Sequence, residues 1–170
     1  MKIYSLIIIF FLCIATTDQA QALKFGHINS ADLLQAMPEV KSADSVLQAY
    51  QKALQDQNDA MLAEYDKKVS DYQKGTANGT ITDATKDVIE EDIKSLADRI
   101  QQFQSSAQDK LANKKEEVYG PILKKAEDAI KQVAKDNNYS YVFDDSAGGV
   151  IYAQPSDDIM PLVKKKLGVQ

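Results

Sequence analysis

Between Glu39 and Tyr119 the chain contains no proline, and its only glycines there, Gly75 and Gly79, sit together near the middle. Ala, Gln, Lys, Glu, Asp and Leu dominate this stretch, a composition that favours helix. Apolar residues recur at coiled-coil spacing. Val40, Ala43, Leu47, Tyr50 and Leu54 alternate steps of three and four. After a polar gap at Gln57, Met61, Tyr65, Val69 and Tyr72 continue with a local stutter. In the second half Ile89, Ile93, Leu96, Ile100, Phe103 and Ala107 repeat the pattern. The polar break from Gly75 to Thr82 offers left-handed conformations at its two glycines and Asn78, and Thr82 can cap a second helix. Such a stretch predicts two antiparallel helices, started at Pro38 and kinked or restarted at Gly120-Pro121. Each arm is roughly 57 Å long at helical rise. Leu47, Leu54, Ile89, Ile93, Leu96, Ile100 and Phe103 are the expected seam, a thin one that leaves most of the arm surface in water.

The remainder is small. Leu23–Asn29 reads as a strand and Ser30 as the cap of a short helix through Ala36. Pro121–Asp136 is amphipathic, Tyr139–Phe143 alternates like a strand, and Val150–Ala153 reads as a further strand. Pro161 can open a last helix to Leu167. Three short strands bury little area, so the body is expected to complete itself by assembling with copies of itself. Phe25, Ile28, Tyr141, Phe143 and Ile151 are the apolar residues expected in that oligomeric body. The predicted architecture is mainly α with a small β body: residues 39–119 form a long helical hairpin, and 23–38 with 120–170 form the body.

Residues 1–22 differ in kind. Lys2 precedes an almost unbroken apolar run from Ile3 to Ile14, and Ala20-Gln21-Ala22 is a small-x-small triplet. This is the layout of a secretory signal peptide, and the run falls short of the roughly 20 residues a membrane span needs. Cys13 lies inside it, and Phe10-Phe11-Leu12 lacks the small residues of a lipid-attachment signal. The exported chain is therefore expected to hold no cysteine and to be stabilised by packing or assembly. The net charge of −5 belongs to the arms: residues 39–119 carry 11 basic and 16 acidic side chains. No basic patch with interleaved aromatics supports nucleic-acid binding.

The inventory of chemical groups points away from catalysis. His27 is the only histidine, with no cysteine and no nucleophile-elbow pattern to work with, so a structural role is expected. Asp144-Asp145 and Asp157-Asp158 read as turn and capping residues rather than a calcium site. No metal or cofactor is expected. Tyr50, Met61, Tyr65 and Tyr72 are open to two readings: packing in the seam, or facing a cavity between neighbouring hairpins where Tyr and Met give an adaptable surface.

Phe25-Gly26-His27-Ile28-Asn29-Ser30, Leu33-Leu34-Gln35-Ala36-Met37-Pro38-Glu39, the Ala/Gln/Lys/Glu-rich hairpin, and Val142-Phe143-Asp144, Tyr152-Ala153 and Asp157-Asp158-Ile159 together resemble the Skp (OmpH-like) family of periplasmic chaperones. The resemblance spans the chain beyond residue 22. It implies a homotrimer with a shared barrel-like body, and hairpins enclosing a cavity for unfolded outer-membrane proteins, held without nucleotide on their way to the outer membrane. The chain departs from the basic members of that family. Its acidic arms argue against capture of lipopolysaccharide or an anionic membrane surface by charge. The competing reading is an exported coiled-coil adaptor that docks one envelope partner. Three short strands leave dimer and trimer both open.

Overall fold

The computed structural model describes residues 23–169. The expected signal peptide, with Cys13, lies outside the described residues. Strand β1 (Phe25–Ile28) leads into a short helix α1 (Ser30–Ala36), then the two long helices α2 (Pro38–Ala77) and α3 (Asp83–Asp136). Strand β2 (Tyr141–Asp144), a single 3-10 turn (Pro155–Asp157) and helix α4 (Met160–Leu167) complete the chain.

The helical hairpin forms as its periodicity dictates. Pro38 occupies the first turn of α2, where its missing N–H costs nothing. The reversal differs in detail from the expected glycine stop. Helix α2 runs through Gly75 to Ala77, and only Gly79 is left-handed, at φ 66°. Gly75 matters for closeness: a Cβ there would lie 2.6 Å from the Ile81 side chain, which folds over it. Its carbonyl accepts from the N–H groups of Thr80 (2.9 Å) and Ile81 (3.3 Å), closing the tip.

Three further expectations are corrected. Helix α3 does not break at Gly120-Pro121; it is continuous for 54 residues. Gly120 lacks the Cβ that proline's ring would strike, and beyond Pro121 the face Ile122, Ala126, Ala129 and Val133 is buried in the core. That burial offsets the single lost backbone bond. Helix α1 is capped by Asn29, whose side chain accepts from Asp32 N at 3.0 Å; Ser30 is already inside the helix. Finally, Val150–Ala153 is not a strand. The sheet has two strands, β1 and β2, parallel, with Phe25 opposite Tyr141 and His27 opposite Phe143. The other edge of β1 is taken by a bridge from His27 to Asp158, so this segment finds no free edge on β1 within one chain.

The core sits where the sheet, α1, α4 and the C-terminal half of α3 meet. Ile28, Leu33, Met37, Ile159 and Val163 are fully buried there, joined by Ala43, Ala126, Ala129 and Val133. Gly26 is what lets this layer close: a Cβ on it would lie 3.0 Å from both the Tyr139 ring and Ile159.

Candidate functional site

Alternation along β1 sorts the body into two faces. Gly26 and Ile28 point to the core, while Phe25 and His27 point outward. On β2, Tyr141 and Phe143 share the outward face. The three aromatic rings cluster there, Tyr141 stacked on Phe25 and Phe143 with centroids 5.9 Å and 6.4 Å apart, and the two phenylalanines tilted at 6.2 Å. All three remain about half exposed. Beside them lies an open groove of about 490 Å³, walled on its far side by Val150, Ile151, Tyr152 and Ala153. Ile151 is fully exposed and Tyr152 nearly so. Of the expected body residues, Ile28 belongs to the core, while Phe25, Tyr141, Phe143 and Ile151 form this uncovered apolar face.

Hydrogen bonds fix the rim of the face. Asp144 accepts from Ser30 N at 3.1 Å, Ser30 Oγ at 2.5 Å and Ser146 N at 3.0 Å. Burial opposes its ionisation, but these bonds outweigh burial and hold its carboxyl at about 2. His27 Nδ1 meets Asp145 Oδ2 at 2.8 Å and its Nε2 faces the Gln154 carbonyl at 3.2 Å. Burial pulls the imidazole pKa down; the bonds to Asp145 and Gln154 and the charges of Asp145 and Asp158 push it up and prevail. An imidazole oriented by a carboxylate resembles a catalytic pair, yet the second nitrogen meets a carbonyl and no nucleophile. Asp158 accepts from Met160 N at 2.8 Å, a capping role at α4.

Along the hairpin, Leu96, Ile100 and Phe103 are buried, while Leu47, Leu54, Ile89 and Ile93 are half-buried. Tyr50, Met61, Tyr65 and Tyr72 are also half-buried. The Tyr72 hydroxyl donates across the hairpin to Glu90, and Lys114 lies over the Tyr50 ring at 5.9 Å. Tyr65 lines a groove with Leu62, Ala97 and Ile100. Sequence reasoning missed two groups here. The seam's polar position is Asn58, not Gln57: Asn58 Oδ1 accepts from Gln104 Nε2 of the facing helix at 3.0 Å. Val46, Leu62 and Val88 are apolar yet exposed off the seam; their positions break the heptad, which was the signal available.

A helical hairpin raised on a small body with an uncovered apolar face is a scaffold suited to binding. The sequence profile of the family described as Outer membrane protein (OmpH-like) matches residues 24–167, and the chain belongs to that family, whose members are chaperones rather than enzymes. The chain is 28% identical over 157 residues to the chaperone protein Skp of Yersinia enterocolitica, covering 92% of this chain and 93% of the relative. Its fold is similar to the crystal structure of an OmpH-like protein of Caulobacter crescentus CB15, described as a candidate outer membrane chaperone. The TM-score is 0.73 at 16% identity, with 85% of this chain and 83% of that one covered.

Proposed function

We propose that the protein is an ATP-independent holdase of the periplasm, exported by its first 22 residues, which binds unfolded outer-membrane proteins as a homo-oligomer, in the first instance a trimer. The observation that carries this reading is the unfinished body. A two-stranded sheet with half-exposed Phe25, Tyr141 and Phe143, flanked by uncovered Ile151 and Tyr152, is a contiguous apolar face of the kind that marks an interaction site. A second copy covers it best, because assembly closes the sheet into a barrel-like body and points the hairpins the same way. Residues 150–153 then find in the neighbour the strand partner absent from one chain.

The hairpins suit client holding. Part of the acidic charge of the arms is paired locally, as at Lys52–Asp56 (2.7 Å) and Lys67–Asp71 (2.9 Å). The proposed client-facing groups are the exposed flanks of Tyr50, Met61, Tyr65 and Tyr72, joined by Leu62. Weak, numerous apolar contacts of this kind retain an unfolded barrel chain without a fixed binding motif and release it without an energy source. The test is light scattering by several denatured outer-membrane β-barrels diluted into buffer. Suppression of aggregation for several unrelated barrels supports the holdase. Protection of none, with capture of a single folded envelope partner at fixed stoichiometry, supports the adaptor reading instead.

A further inference from the structure

His27 shares the outward face of the sheet with Phe25, Tyr141 and Phe143, and it links two segments distant in sequence. Both of its ring nitrogens face acceptors: the Asp145 carboxylate at 2.8 Å and the Gln154 carbonyl at 3.2 Å. A neutral imidazole carries one N–H and can donate to only one of them; the imidazolium donates to both. The side chain is 16% exposed, with the Asp145 bond part-buried and the Gln154 bond at the solvent edge. Among the described residues, 149–153 make no hydrogen bond. By hydrogen bonds the stretch that bears Ile151 and Tyr152 is therefore tied only at its ends, by the turn at Asp145 and by Gln154.

We propose that the charged His27 side chain clamps the 150–157 segment against the sheet, so that the apolar assembly face is in order when His27 is protonated and loosens when it is neutral. The coupling to assembly rests on the reading of that face as the contact between copies. Every element around the imidazole contributes a charge. Asp145 follows β2, Asp157 lies in the 3-10 turn, Asp158 precedes α4, Asp32 stands on α1, and Lys164 on α4 is the one cation lining the same recess. Acid predominates, which favours the imidazolium. The preference for Nδ1–H beside a carboxylate means that deprotonation gives up the Gln154 bond and frees the segment, while the backbone bond from Ile159 N to His27 O (3.0 Å) keeps α4 in place. The sign follows from a folded-state value raised above 6.5: the clamp is complete below that and is lost as pH rises through the raised value.

The chain has one histidine and no tryptophan, so both probes are unambiguous. In the protein purified after export, the His27 Cε1–H resonance is titrated by NMR, and a Tyr152→Trp variant reports the segment by emission. Sedimentation velocity over the same pH range reports assembly. The expected result is one transition, raised above the ordinary histidine value, shared by resonance and emission, with self-association weakening about tenfold across it. His27→Gln abolishes the emission transition, and Asp145→Asn moves it to lower pH. An emission transition that persists in His27→Gln, or a His27 resonance titrating at or below the ordinary histidine value, overturns the clamp. A sharp emission transition in a chain that is monomeric at every pH and concentration instead overturns the assembly reading, and the coupling with it, while leaving the clamp.

Discussion

At the scale of single residues, the body depends on a few fully enclosed side chains and a few polar ties. Leu33 is completely buried between α1 and the core, so Leu33→Ala should cost about 2–5 kcal/mol, read by denaturant unfolding. An unchanged midpoint would mean that α1 is not part of the cooperative unit. Asp144 supplies a pH test. Its carboxyl is held at about 2, below the 3.8 of an unstructured aspartate, so its contribution is present above about pH 4 and lost as pH falls through about 2. The stability advantage of the parent over Asp144→Asn should therefore shrink over that window; an advantage constant down to pH 2 contradicts the assignment. Little of this was legible in the sequence. His27 and Asp145 are 118 positions apart, and nothing local to either announces the other. The Asn58–Gln104 bond spans 46 positions and replaces an apolar pair, so a periodicity argument saw only a gap and placed it one residue early.

At the scale of elements, the hairpin was legible because helix periodicity is a local property and two long runs report it many times over. Its ends were less so, since tertiary packing decides them. A proline and a glycine together predict a helix break, but here the apolar face beyond Pro121 has a core to join. Pro121→Ala restores one N–H to the helix, so it should stabilise α3 by up to about 3 kcal/mol, measured by thermal unfolding. Destabilisation would show that the proline's ring makes a contact worth more than the bond. Gly75→Ala acts oppositely, because the new Cβ would lie 2.6 Å from Ile81 and unseat the tip. Faster hydrogen exchange around 74–85 is the expected sign. The segment 150–153 failed as a strand for a reason the sequence could not hold. Its β-branched and aromatic residues fit a sheet, but β propensity has no effect without an edge to pair with.

At the scale of the whole molecule, the proposed assembly rests on the uncovered aromatic face of the body and the proposed client holding on the solvated arms. Their charge follows the same logic. With no basic patch in the sequence of the arms to capture clients by charge, client binding should change little with added salt, measured as affinity for a denatured barrel between about 0.05 and 0.3 M. A steep loss would mean that charge, not apolar contact, does the holding. Phe143→Asp places a charge on the aromatic face and should dissociate the assembly while leaving helix content intact, by sedimentation and circular dichroism. The proposed function is tested most directly by the mass of the complex between the purified exported chain and a denatured outer-membrane β-barrel protein. Three copies of the chain around one soluble client is the expected result. A monomeric chain that leaves the client to aggregate contradicts it.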